Sequence, residues 1–91
     1  MVDDFRWNAW NIDHIAEHGI SVDEAEYVVR HAKAPYPSYE GDERWLVRGQ
    51  TGDGEFIQVA FVIDPDGKTA YVIHARPLER KEKRHLRRRR K

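Results

Sequence analysis

A histidine, three arginines and two glutamates are the residues of this chain whose types and spacing could do chemistry together. His74 and Arg76 lie two apart, Arg44 and Arg48 four apart, Glu43 precedes Arg44, and Glu82 follows Arg76 by six residues. The planar guanidinium fork of arginine matches the oxygens of a phosphate or carboxylate. Histidine is the side chain best suited to moving protons near neutral pH. A carboxylate in such a set either takes a proton or orients an arginine. If these residues share a surface, they make an anion site with a proton-transfer group beside it. The competing reading is a solvated sheet face, with Glu82 in a helix-surface ion pair.

Whether they share a surface depends on the elements that carry them. Asn8 is placed to cap a helix over Ala9–His18, with Ile12, Ile15 and Ala16 as its apolar stripe and Gly19 as a left-handed stop. Ser21 and Glu24 form a capping box, flanked by Ile20 and Ala25 at the staple positions. It opens a second helix from Val22 to about Ala32, with Ala25, Val28, Val29 and Ala32 inward. The two helices form a tight αα-hairpin. Pro35 and Pro37 lie beyond it, and Tyr36 to Asp42 reads as a loop. Phe5-Arg6-Trp7 is a short extended candidate. Past Pro77, the segment from Leu78 is helical at least to Leu86.

Three strands are expected at Arg44–Thr51, Glu55–Ile63 and Thr69–Arg76. The turns between them suggest a register. Gly52-Asp53-Gly54, as a three-residue loop, pairs Thr51 with Glu55, Arg48 with Gln58 and Val47 with Val59. Asp64-Pro65-Asp66-Gly67-Lys68, as a type I turn with Gly67 left-handed, pairs Asp64 with Lys68, Phe61 with Tyr71, Val59 with Ile73 and Gln58 with His74. Side chains alternate between faces. Trp45, Val47, Ile57, Val59, Phe61, Ile63, Tyr71, Ile73 and Ala75 then make an apolar face for the helices. Arg44, Leu46, Arg48, Gln58, Ala60, Val62, Val72, His74 and Arg76 make the other. The expected fold is α+β: an αα-hairpin on one face of a three- to four-stranded antiparallel sheet, followed by a basic helix or tail. A one-residue slip would exchange the faces.

The 91 residues suit one domain, 40% hydrophobic, drawn at 1–86 with a basic tail at 87–91. A net charge of zero hides an asymmetry. Residues 79–91 carry nine Lys/Arg against two acids, while residues 1–78 carry seven against fourteen. Such a split reads either as an interaction tail for nucleic acid or an acidic partner, or as a solvated segment. The chain has no cysteine, hence no disulfide or thiolate metal site, which suits a reducing cytoplasm. The acidic start lacks the features of a signal peptide, and the longest apolar run, Val59 to Ile63, is too short for a bilayer. His14 and His18 sit at i, i+4, a possible metal pair, but no set completes it in sequence. Neither metal nor cofactor is expected.

An ordered set of residues resembles the BrnT-type toxin family, within the broader RelE/ParE-like fold. The set is Phe5 and Trp7; His18-Gly19-Ile20-Ser21 with Glu24-Ala25; Glu43-Arg44-Trp45; Gly49-Gln50-Thr51 with Gly54; and Val72-Ile73-His74-Ala75-Arg76 followed by Glu82. It spans almost the whole chain. Two positions depart from the family pattern: His74 stands where the family usually has Ser before Ala-Arg, and Leu86 where its last helix often has Tyr. The resemblance implies a type II toxin that cleaves RNA without a metal. It also implies a cytoplasmic protein in complex with an antitoxin, itself DNA-binding and encoded alongside, and no membrane partner.

Such cleavage uses the 2′-OH as an internal nucleophile, which only RNA offers. A base removes its proton, a cation steadies the phosphorane, and an acid protonates the leaving 5′ oxygen. The candidates are His74 as acid or base, Arg76 and Arg44 on the phosphate, and Glu43 or Glu82 as base or as orienting carboxylate. Arg48, Gln58, Arg80 and Arg84 would bind neighbouring RNA. His18 either caps its helix end or joins the chemistry. Two other readings are a non-catalytic nucleic-acid or protein-binding module and a ParE-like inhibitor of a protein target.

Overall fold

Local signals at two asparagines and a serine start the helices. In the computed structural model, which describes residues 2–89, the Asn8 side chain accepts from the Asn11 amide, and the Asn11 side chain accepts from the Asn8 amide. This reciprocal cap opens α1 (Ala9–Ala16). Gly19, at φ 77°, turns the chain. The Ser21–Glu24 box then opens α2 (Val22–Arg30) as expected.

The fold is α+β, but the sheet is larger than expected, and mixed. Its strands are β1 (Asp4–Arg6), β2 (Ser38–Tyr39), β3 (Arg44–Gln50), β4 (Phe56–Ile63) and β5 (Thr69–Pro77), in the order β1-β5-β4-β3-β2. β5, β4, β3 and β2 pair antiparallel, while β1 runs parallel to β5. The backbone amides of Asp3 and Asp4 both donate to Lys68 O, at 2.8 and 3.3 Å, which fastens the N-terminal segment beside the start of β5. At the other edge, two residues of the expected loop add β2.

The β3–β4 register is the expected one, with Val47 opposite Val59 and Arg48 opposite Gln58. The β4–β5 register is not. The amide of Asp64 donates to Thr69 O rather than Lys68. The Asp66 carboxylate accepts from the amides of both Lys68 and Thr69 at 2.9 Å, holding a turn one residue wider than the type I reading allows. A bulge follows: Phe61 faces Val72 but Ala60 faces His74, leaving Ile73 as an extra residue. Val72, expected on the mixed face, is therefore fully buried in the core, and Tyr71 and Ile73 are not core residues. Beyond the bulge, Ala75 is inward and His74 and Arg76 are outward, as expected.

The core joins Ile15, Ile20, Ala25, Val28 and Val29 of the hairpin to Val47, Ile57, Val59, Phe61, Ala70, Val72 and Ala75 of the sheet. Gly49 brings α2 close, since a Cβ there would meet Val28 Cγ1 at 3.2 Å. The expected α1 stripe is displaced: Ile12 is 40% exposed, while Asn11 is fully buried beside Ile15. The reason is the edge of β5. β1 pairs only with Thr69–Tyr71, so the strand beyond is uncovered. There Asn11 Nδ2 donates to Val72 O at 3.0 Å and to Arg6 O at 3.1 Å. α1 docks along that edge and turns one flank toward the free face of the sheet.

The last helix, α3 (Arg80–Arg89), returns over one end of the free face. Leu86 and Leu78 bury against Phe56, with Tyr36 alongside. Helix thus continues past the boundary drawn at residue 86, and the end of the basic tail, residues 90–91, lies outside the described residues. No helix among the described residues is long and apolar enough to cross a membrane.

Candidate functional site

Alternation along β3, β4 and β5 places Arg44, Arg48, Gln58, His74 and Arg76 around one concavity of about 320 Å³ on the free face. Ile73, freed by the bulge, lines it as well, and so does Glu40 from the β2–β3 loop, which sequence reasoning missed. Glu43 does not join them. It is exposed in that loop at φ 62°, with its amide donating to the Tyr39 hydroxyl.

Glu82 reaches the site from the first turn of α3 and binds both inner arginines. Arg76 donates to its two oxygens at 2.9 and 2.8 Å, a bidentate pair, and Arg48 donates to Oε2 at 3.2 Å. The Glu79 amide donates to Oε1 at 2.7 Å. Gln58 Oε1 accepts from Arg48 Nε at 2.9 Å and Arg76 Nη2 at 3.4 Å. The hydrogen bonds from Arg76 and then from the Glu79 amide, with the positive charge of Arg76 and Arg48, hold the Glu82 carboxyl at a pKa of about 2. Glu82 is thus a fixed anion that orients guanidinium groups, and a poor base. In turn it raises the pKa of Arg76.

His74 stands at the opposite side of Arg76 from this ion cluster, toward α1. Its pKa is lowered, chiefly by burial and then by the positive potential of His18, His14 and Arg76. The neutral imidazole is the favoured form. Around it the docking of α1 gathers rings that sequence distance kept apart. His18 lies 5.1 Å and His14 5.7 Å from His74 between ring centroids. Trp10 stacks on His14 at 4.9 Å and on Tyr71 at 6.5 Å, and Arg6 covers the Tyr71 ring at 4.0 Å. The spacing of Trp10, His14 and His18, four residues apart on one helical stripe, was the available signal. What it lacked was the other wall, Tyr71 and His74. Among the described residues no three His, Asp or Glu side chains stand in metal-ligating geometry.

Two kinds of cation remain at the site. The Arg44 side chain, at the open rim, makes no hydrogen bond or ion pair among the described residues, whereas Arg48 and Arg76 share one carboxylate. Arg80 and Arg84 are exposed on α3 and do not line the concavity. The arrangement can therefore hold an anion at the arginine side and exchange a proton at the histidine side. No family model matches the chain, and neither a curated protein nor a solved structure does.

Proposed function

We propose that this protein is the toxin of a type II toxin–antitoxin pair, with a RelE/ParE-like fold of the BrnT type, and that it cleaves RNA by metal-independent transphosphorylation. The observation that carries the reading is the outward pair His74 and Arg76 on the strand past the bulge. It sets a neutral imidazole beside a guanidinium held in place by Glu82. In this reading the scissile phosphate lies against Arg76 and Arg44, Arg48 and Gln58 contact the adjoining nucleotide, and His74 exchanges a proton with the ribose or the leaving oxygen. Preorganised charge and a placed acid or base each contribute roughly 10²–10³-fold or more to such a step. Arg80 and Arg84 extend the RNA path along α3. A cytoplasmic antitoxin would cover the concavity, its acidic groups pairing with Arg44.

The shared carboxylate favours a second reading, since Glu82 offsets the charge of Arg48 and Arg76. A face so balanced suits a non-catalytic module or a protein-directed inhibitor, with residues 87–91 supplying any nucleic-acid affinity.

The deciding experiment is cleavage of a mixed RNA in EDTA by wild type, His74→Ala and Arg76→Ala. Wild-type cleavage to 2′,3′-cyclic phosphate and 5′-OH ends, reduced about 100-fold or more in both variants, is the expected result. A folded wild type that leaves RNA intact would remove the nuclease reading and leave the binding module.

A further inference from the structure

We infer that His18 is the second proton-transfer group of this site: His74 takes the proton from the 2′-OH and His18 delivers one to the departing 5′ oxygen. The inference rests on the nuclease reading above and names a residue that the reading leaves open. Transphosphorylation needs two proton transfers, and the nearby carboxylates are unsuited to share them. Glu82 is committed to Arg76 and Arg48 at 2.8–3.2 Å, Glu40 accepts from the Ser38 hydroxyl at 2.9 Å on the far side of the concavity, and Glu43 is exposed in the β2–β3 loop. The imidazole nearest to His74 is that of His18, 5.1 Å away between ring centroids.

The two rings are tilted by 60° and come from different elements, so they do not occupy one plane of approach. No hydrogen bond within the described residues ties up either imidazole, which leaves their nitrogens available to substrate. An acid and a base must each come within about 3 Å of their own oxygen. Two imidazoles at this separation can flank the entering 2′ oxygen and the leaving 5′ oxygen, on opposite sides of phosphorus, while Arg76 holds a non-bridging oxygen. The step balances without a co-reactant. The 2′ oxygen forms a bond to phosphorus, the bond from phosphorus to the 5′ oxygen breaks, His74 gains a proton and His18 loses one. The charged and titratable groups facing the pair are His14 from α1, Arg76 from β5, and Arg44 and Glu40 across the concavity. Burial, then the positive potential of His18, His14 and Arg76, favours a neutral His74, consistent with the base role, while His18 is exposed to solvent.

The test compares full-length wild type with His18→Ala on two substrates. One is a dinucleotide with an ordinary 5′-nucleoside leaving group. The other is a uridine 3′-aryl phosphate, whose leaving group needs no protonation. For the dinucleotide, kcat of His18→Ala should fall about 100-fold or more with KM changed little. The alkaline limb of the kcat–pH profile should vanish while the acidic limb stays. On the aryl ester the variant should keep activity within about threefold of wild type. Equal losses on both substrates, or a retained alkaline limb, would overturn the assignment and make His18 structural. Wild type inactive on both would sink the nuclease reading itself, a distinct result.

Discussion

At the scale of single residues, the site separates two roles that sequence leaves merged. Glu82 could have been a base or an orienting carboxylate; three donors decide for the second. Its pKa of about 2 lies below the ordinary value of 4.5, so the folded state is favoured where Glu82 is ionised. That stability is complete above about pH 4.5 and is lost as pH falls toward 2. Glu82→Gln should therefore cost about 1–2 kcal/mol at pH 7 in urea unfolding, with the difference from wild type shrinking toward pH 2. It should also release Arg48 and Arg76. A variant as stable as wild type at pH 7 would mean that the ion cluster does not hold α3.

At the scale of elements, two contacts decide where α1 and α2 sit. Asn11 joins a helix cap to the uncovered edge of β5, and its docking brings His14 and His18 to His74. Asn11→Leu keeps the bulk but strands the buried carbonyl of Val72 and the part-buried one of Arg6, and should destabilise by about 2–4 kcal/mol. The same variant should disturb the imidazole resonances of His74 by NMR. Gly49 sets the approach of α2 to β3. Gly49→Val places branched bulk where even a Cβ would stand 3.2 Å from Val28, and should cost about 1–3 kcal/mol in thermal unfolding. Unchanged midpoints would show that α2 can slide.

At the scale of the whole molecule, charge separates the two functional readings. The site offers three arginines, Arg44, Arg48 and Arg76, inside an acidic body. Each neutralised phosphate of a single strand contributes about −0.7 to the salt slope of binding, so these three with Arg80 and Arg84 along α3 predict a slope near −3.5. Measured RNA affinity between 50 and 200 mM salt should follow that line. A slope nearer −5, lost on deleting residues 87–91, would favour the tail-driven module.

Much of this was legible along the chain, because capping boxes, turn residues and period-two alternation are local. Asn8, Ser21 and Glu24 mark the helix starts, and the Gly52–Gly54 loop sets the β3–β4 register. His74 and Arg76 emerge on the free face because a wider turn and the bulge at Ile73 offset each other in parity. Neither could be read from residue types: Asp66 holds the turn through two amides whose positions depend on the strands it joins. The parallel β1, the edge-docked α1 and the return of α3 over Phe56 are also long-range choices. Each satisfies groups that distant elements leave open: the flank of β5, its bare carbonyls, and the apolar end of the free face. Sequence by itself determined the α+β elements and a face bearing arginines and a histidine. Only the tertiary structure decided that a helix flank would bring two more histidines to that face, because an uncovered strand edge must find hydrogen bonds and Asn11 supplies them.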